Sequence, residues 1–439
     1  MTIQSVRFCS IMSTICLLAS NICPAQGQTV FHVLSYQNRF GGPSALIEGS
    51  PGVFYFNTGS SIGVFSISTQ GSKTTLATLP AGDQTASATI SGANNRFYSS
   101  FGPNNSSAYV FSVSSTPGEQ TYSDQTVVPV LTQNLPDTDF LGVAIAFADN
   151  PWYLVDVDLQ GNVTIIYQFP SDEVLPNTAV YASDGNYYGI SQNGVGYVYK
   201  VTPAGSLTKL LSFPNLAVTG FRFVPLIQAS DGNLYGAAPG GGGGGAGTIY
   251  KLTLSGQYTL LYTFPKNNTS VPTSLIEGSD GNLYGTTLGQ IPSGGYSTIF
   301  KITKTGQYSE ILAMKNISYY GACQCQLVQG SDGKIYGSAI SGGTYNGGVI
   351  FSLDLGLPQP SPRAKHFYPQ AGAPGTSVRI WGDNLLGASV EFDGVAAATV
   401  SNSGSNYVYA TVPVGATSGP ITISTAGGSM TTESSFTVE

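Results

Sequence analysis

Short apolar stretches follow one another along the chain, separated by turns rich in Gly, Asn, Ser and Pro. Within each stretch apolar and polar positions alternate, as in GYVYKVT (196–202), GTIYKLT (247–253) and STIFKIT (297–303). A period of two is the mark of a β-strand with one face turned inward. Apolar positions recurring every 3.6 residues over helix-length runs are not found. The pattern predicts an all-β chain of many short strands.

The strands belong to a repeat. LIQASDGNLYGAA ends at Ala238, LIEGSDGNLYGTT at Thr287 and LVQGSDGKIYGSA at Ala339, and a fourth copy, AVYASDGNYYGIS, ends at Ser191. Their aspartates, Asp184, Asp231, Asp280 and Asp332, are spaced 47, 49 and 52 residues apart. Each motif leads through a Gly-containing loop to a second β segment, and then through a short turn to a third, such as SLTKLLSF (206–213). Four short strands recurring at this period describe a blade of a β-propeller. Eroded copies place Tyr55 and Tyr98 in the tyrosine position, and the least regular copy lies around AFADNPWYLVDVD, with Tyr153 in its second or third strand. Tyr55, Tyr98, Tyr153, Tyr188, Tyr235, Tyr284 and Tyr336 then mark about seven blades, with six or eight also compatible. The last repeat stops after its third strand, VIFSLDL (349–355), while TVFHVLSY (29–36) stands before the first repeat without partners. This N-terminal strand is expected to complete the last blade, leaving no open edge there.

The Asp-Gly pair in each motif suits a tight turn, with a side-chain acceptor followed by a residue that tolerates positive φ. One acidic residue per turn is too few for a calcium loop. The glycine run 240–245 lacks the Lys-Ser/Thr of a phosphate loop and reads as a connection.

At Leu357 the pattern changes. LPQPSPR is Pro-rich, and from there short strands alternate with Gly/Pro turns, the arrangement of a small sandwich. The expected division is a signal peptide at 1–27, a propeller at 28–356, a linker at 357–364 and an immunoglobulin-like sandwich at 365–439.

Two resemblances attach to these segments. SDGNLYGTT (279–287) and STIFKIT (297–303) resemble the GloVer-type tandem repeat of secreted bacterial proteins with variable surface anchors. That resemblance implies a repeat fold outside the cytoplasm and no assigned chemistry. The C-terminal stretch is similar to an IPT/TIG domain, carried by Pro374-Gly375-Thr376, Gly382, Asn384-Leu385, Val390, Phe392, Thr411-Val412-Pro413, Gly415, Gly419, Ile421 and Phe436. It implies spacing, adhesion or protein contact.

Composition narrows the function. Charged residues are 9% of the chain and the formal charge is −7. No run of Lys or Arg occurs, which argues against nucleic acid and anionic membrane as partners. Arg7 followed by the apolar FCSIMSTICLLA (8–19) and small residues to Gly27 reads as an export signal, too short for a comfortable membrane span. The expected location is secreted, at the cell surface or in the periplasm, with no integral membrane segment in the mature chain. After removal of the signal only Cys323 and Cys325 remain, too few for a disulfide framework or a zinc site.

Candidate chemistry is sparse. The two histidines, His32 and His366, fall in different domains, and no metal, cofactor or catalytic motif is found. One ring of positions stands out. Three residues before each turn aspartate or its equivalent lie Glu48, Ser91, Ala146, Tyr181, Gln228, Glu277 and Gln329. Glu48, Tyr181, Gln228, Glu277 and Gln329 are the candidate ligand-binding residues, at strand ends that turn toward loops. The function expected is non-enzymatic binding or adhesion, toward an extracellular glycan or protein. The alternatives are a polysaccharide hydrolase or lyase using paired carboxylates and a structural envelope component.

Overall fold

The computed structural model describes residues 30–36, 45–58, 63–78, 83–85, 90–92, 94, 96–103, 108–115, 120–125, 127–134, 140–146, 152–170, 179–193, 195–213, 224–238, 247–265, 270–289, 297–314, 326–339 and 348–439. The expected signal segment, Cys323, Cys325 and the glycine run 240–245 lie outside them. Every regular element among the described residues is a strand.

Seven antiparallel sheets are built in chain order from the repeats. Sheet 1 spans residues 47–78, sheet 2 83–125, sheet 3 127–168, sheet 4 179–213, sheet 5 227–263, sheet 6 270–314 and sheet 7 326–354. Each has four strands except sheet 2, which has five. The fourth strand of sheet 7 is Val30–Tyr36, paired antiparallel with Val349–Asp354.

A four-stranded sheet has two faces to cover, and here neighbours cover them. Tyr188, Ile190 and Val198 of sheet 4 share a cluster with Leu226, Leu234 and Leu252 of sheet 5. Corresponding clusters join sheets 1 and 2, 2 and 3, 3 and 4, 5 and 6, and 6 and 7. A further cluster packs Tyr336 and Ile350 of sheet 7 against Phe54 and Phe56 of sheet 1, with the Phe54 and Tyr336 rings 4.1 Å apart.

The glycine after each motif tyrosine also has a packing reason. Gly189, Gly236, Gly285 and Gly337 sit directly across the ladder from Tyr199, Tyr250, Phe300 and Phe351. The aromatic ring lies over the bare backbone: a Cβ at Gly236 would be 2.5 Å from the Tyr250 hydroxyl. Aromatic residues cover strand glycines in this way in designed sheets too.

Sheet 3 corrects the sequence expectation. Asn134 is paired with Phe140, the same register by which Gln228 faces Leu234 and Glu277 faces Leu283. The ring position of this repeat is therefore Asn134. Ala146 is instead at the far end of the second strand, Phe140–Ala146. Leu141 takes the tyrosine place, and Tyr153 lies in the third strand, Trp152–Val157.

The C-terminal part is two facing sheets. One contains Arg363–Tyr368, Ser377–Asp383, Tyr407–Thr411 and Val400–Ser403, and the other includes Ser389–Phe392, Gly419–Thr425 and Gly428–Val438. Val378, Ile380, Val408, Val390, Ile421 and Phe436 fill the space between them.

Deleting residues 28–37 removes the outer strand of sheet 7. The thermal transition of the whole repeat region should fall as one unit. Calorimetry and far-UV circular dichroism on the truncated chain check this, and an unchanged transition would count against it.

Candidate functional site

The site is built on the turn between the first two strands of each repeat. Asp-Gly fixes its shape: Gly185, Gly232, Gly281 and Gly333 have φ between 76° and 87°, a region that costs other residues about 1–2 kcal/mol. The aspartate does two things. One oxygen accepts the backbone N–H two residues on, as Asp231 Oδ1 does from Asn233 at 3.2 Å. The other accepts the tyrosine hydroxyl, at 2.7 Å for Tyr188, 2.8 Å for Tyr235, 2.9 Å for Tyr284 and 2.8 Å for Tyr336. In sheets 4 to 6 a third-strand lysine joins that oxygen, Lys200 at 3.0 Å, Lys251 at 3.2 Å and Lys301 at 2.8 Å.

These contacts set the titration of the turns. Partial burial pushes the Asp231 carboxyl up, and the donors Tyr235, Asn233 and Lys251 together outweigh it, holding the group at about 2. Asp184 and Asp280 are lowered by the same balance. Burial, followed by donation to the carboxylate, raises the partner tyrosines.

Four of the candidate binding residues, Glu48, Gln228, Glu277 and Gln329, reach from one sheet to the turn of the preceding one. Gln228 Oε1 accepts the Ser183 N–H at 2.9 Å, and its Nε2 donates to Ser183 Oγ at 2.8 Å. Gln329 does the same to Ser279, with both distances 2.8 Å. Glu277 accepts from the Ser230 N–H at 2.7 Å and from the Ser230 hydroxyl. Glu48 of sheet 1 accepts from Ser331 of sheet 7, N–H at 2.7 Å and hydroxyl at 2.8 Å. Toward the serine a carboxamide accepts one bond and donates one, whereas a carboxylate accepts both. The serine hydroxyl reverses its role to suit.

The two carboxylates differ in their surroundings. Glu277 pairs with Lys304 and lies 3.7 Å from Arg363 of the C-terminal part. Lys304 occupies the place held by Leu254 and Pro203 in the two preceding repeats. Glu48 is 5% exposed and has no ion pair among the described residues. Burial raises its carboxyl above the ordinary range. The donors Gly52 and Ser331 oppose the shift, and Asp332 adds to it.

Tyr181, the fifth candidate, behaves differently. Two residues after Asn134, where the later motifs have serine, the sequence of the repeat before it has Pro136, which lies outside the described residues. Proline has no N–H to offer. Tyr181 instead meets Trp381 of the C-terminal part edge-on, ring centres 6.2 Å apart, and Leu159 joins them.

The C-terminal part is thus seated on the end of the repeats that carries these turns. Pro358 accepts from the Ser279 hydroxyl at 2.6 Å, so the proline-rich segment is tied to sheet 6. Ser91 of sheet 2 stands against Gly404, where a Cβ would be 2.6 Å from its hydroxyl oxygen. Sequence reading missed Trp381 and Tyr407. The signal was present in the alternation: Val378 and Ile380 point into the sandwich, which puts Trp381 on the outside. A large aromatic in the outward register marks a contact surface.

Among the described residues no group of three or more His, Cys, Asp or Glu is placed to hold a metal ion. Among the same residues no helix is long and apolar enough to cross a membrane.

A family model described as the Gloeobacter/Verrucomicrobia repeat matches residues 175–411. No curated protein matches the chain. Among solved structures, it is similar to a virginiamycin B lyase from Staphylococcus aureus at 15% identity and TM-score 0.52, covering 74% of this chain and 99% of that one. It is also similar to a streptogramin B lyase at 15% identity and TM-score 0.50, covering 74% and 98%. A puromycin hydrolase gives 11% identity and TM-score 0.51, covering 79% of this chain and 59% of that one. These are propeller-like enzymes, and at such identities the likeness shows the fold alone.

Two outcomes follow from the titrating groups. A carboxyl raised by folding adds most stability below its unfolded value of 4.5, and that contribution is lost as pH climbs through the raised value. Glu48→Gln keeps a staple of the Gln329 type to Ser331, gives up the acceptor for the Gly52 N–H and removes the titration. Its stability relative to wild type should therefore rise between pH 4 and pH 7, measured by denaturant unfolding, while Glu48→Ala should lose about 1–3 kcal/mol. Asp231 works in the opposite sense: its contribution is complete above 3.8 and lost as pH falls toward about 2. Asp231→Asn should cost about 1–2 kcal/mol at pH 6, a difference that shrinks below pH 3.

Proposed function

The chain belongs to the Gloeobacter/Verrucomicrobia repeat family, and on that premise we propose that it is a non-enzymatic binding or adhesion protein acting outside the cytoplasm. The observation that carries this reading is the commitment of the ring residues. Gln228, Glu277, Gln329 and Glu48 each bind the turn of a neighbouring sheet. Glu48 and Glu277, the two carboxylates that a glycosidase-like reaction would draw on, already accept internal hydrogen bonds. A molecule so arranged presents a rigid surface. Paired carboxylate catalysis needs one group to keep and release a proton at the substrate.

In this reading the seven sheets close into a seven-bladed propeller. The pairing of Val30–Tyr36 with sheet 7 and the Glu48–Ser331 contact support the closure. The C-terminal sandwich is immunoglobulin-like, of the IPT/TIG kind, and serves as a cap fixed on one end. The export signal at 1–27 supports secretion, and the absence of basic runs supports a glycan or protein ligand over nucleic acid. The lyase and hydrolase names of the similar structures describe those proteins.

A glycan array probed with residues 28–439 tests the reading. Reproducible binding to one class of glycan, with no degradation of it, is the expected result. Turnover of a polysaccharide that disappears in Glu277→Gln would put catalysis in place of binding.

A further inference from the structure

The junction between the repeats and the C-terminal sandwich encloses a cavity of about 270 Å3. Ile47, Val328, Glu48 and Ser331 line it from the repeats, and Asn384 and Thr425 from the sandwich. We propose that this cavity binds one neutral polyhydroxylated ring, the chemistry of a terminal sugar residue. The inference rests on the binding role proposed above and gives it a place and a ligand class.

Size sets the first limit. Sites for drug-sized ligands run to about 300–1,000 Å3, so this one admits a single small ring. Charge sets the second. Glu48 is the one charged residue in the lining, and no Lys or Arg joins it. An acidic guest would be buried beside Glu48 with no compensating cation. A basic guest or a metal ion fares little better. Glu48 already accepts from Gly52 at 2.7 Å and from two groups of Ser331, so three of its roughly four acceptor positions are taken.

The remaining polar atoms suit hydroxyls. Asn384 donates through Nδ2 to the Ser361 carbonyl at 3.0 Å, which fixes its side chain, and its Oδ1 has no partner among the described residues. Its backbone is in the left-handed region, φ 56°, where Asn is one of the few side chains to settle. The Thr425 oxygen accepts the Gly427 N–H at 3.2 Å, and its proton is left to donate. Ser405, also in the lining, donates to Asn406 at 3.1 Å and keeps lone pairs free. An acceptor and a donor on one wall match a hydroxyl, which both gives and takes a hydrogen bond. Ile47 and Val328 on the facing wall supply the apolar surface that the C–H face of a sugar ring covers.

The test uses the full mature chain with methyl glycosides of glucose, galactose and mannose, and with glucuronic acid and glucosamine as charged counterparts. Saturation-transfer NMR and calorimetry read the binding. At least one neutral glycoside should bind, with both charged sugars weaker by about tenfold or more. Ala426 is exposed at the cavity rim. Ala426→Trp should abolish binding and Thr425→Val should weaken it several-fold, with the thermal transition unchanged. Undiminished binding in Ala426→Trp would place the sugar elsewhere, overturning this site while leaving the binding role intact. Preference for a charged sugar would overturn the ligand class. Failure of every sugar here, beside a positive glycan array, overturns the site alone; failure of both removes the binding role with it.

Discussion

A sheet of four short strands cannot stand alone, because both of its faces are apolar and one edge of its turn is polar. The whole repeat region answers that constraint. Each face is covered by the next sheet, through clusters such as Tyr188 and Ile190 with Leu226 and Leu252. Burial of this kind is strong and non-directional. Direction comes from the polar end. A Gln or Glu from one sheet grips the serine N–H and hydroxyl at the turn of the one before, fixing how far each sheet can slide or tilt on its neighbour. The sequence motif SDGN thus has two audiences. Its aspartate and glycine shape their own turn, and its serine receives the next repeat.

The staple is not uniform around the molecule. It is present where sheets 4 and 5, 5 and 6, 6 and 7, and 7 and 1 meet. At the other three joints the gripping position holds Ser91, Asn134 and Tyr181. Two of these three, Ser91 and Tyr181, touch the C-terminal sandwich, at Gly404 and Trp381. The C-terminal part also meets joints that keep the staple, with Arg363 beside Glu277 and Pro358 on Ser279. The proline-rich segment is accordingly no free tether: its Pro358 carbonyl is held by Ser279, and Leu355 and Leu357 pack on the cluster shared by sheets 6 and 7.

How much of this the sequence disclosed depended on which residues carry structure by their own chemistry. The repeats from residue 179 onward were legible because Asp, Gly and Tyr each meet a requirement that few other residues meet. Sheet 3 was misread for the same reason in reverse. Its tyrosine place is Leu141, so a chance likeness at AFADN drew the register to Ala146 when Asn134 held the position. The ring of polar strand ends was found, but its use was not. Nothing in one repeat says that Gln228 faces Ser183, 45 residues earlier, since that contact exists only once two sheets are stacked.

The difference between Glu48 and Glu277 shows how a single position is tuned within one scaffold. Both accept the same pair of bonds from a serine. Glu277 has Lys304 and Arg363 beside it, so its charge is answered on site. Glu48 is buried at the meeting of sheets 1 and 7 with backbone and hydroxyl donors alone. Hydrogen bonds to a buried carboxylate offset much of the cost of removing it from water, but not all of it. A glutamine would keep both bonds to Ser331 without charge, as Gln329 keeps its pair to Ser279 one sheet earlier, but it would lose the acceptor for the Gly52 N–H. The bonds to Ser331 alone do not require a carboxylate; the Gly52 N–H makes use of one, on a wall of the cavity beneath the C-terminal sandwich. Structure alone accounts for the length of that side chain and for its hydrogen bonds. In the site proposed above, that carboxylate is what would turn away an acidic guest, so the same side chain that holds two sheets together would also bear on the choice of ligand.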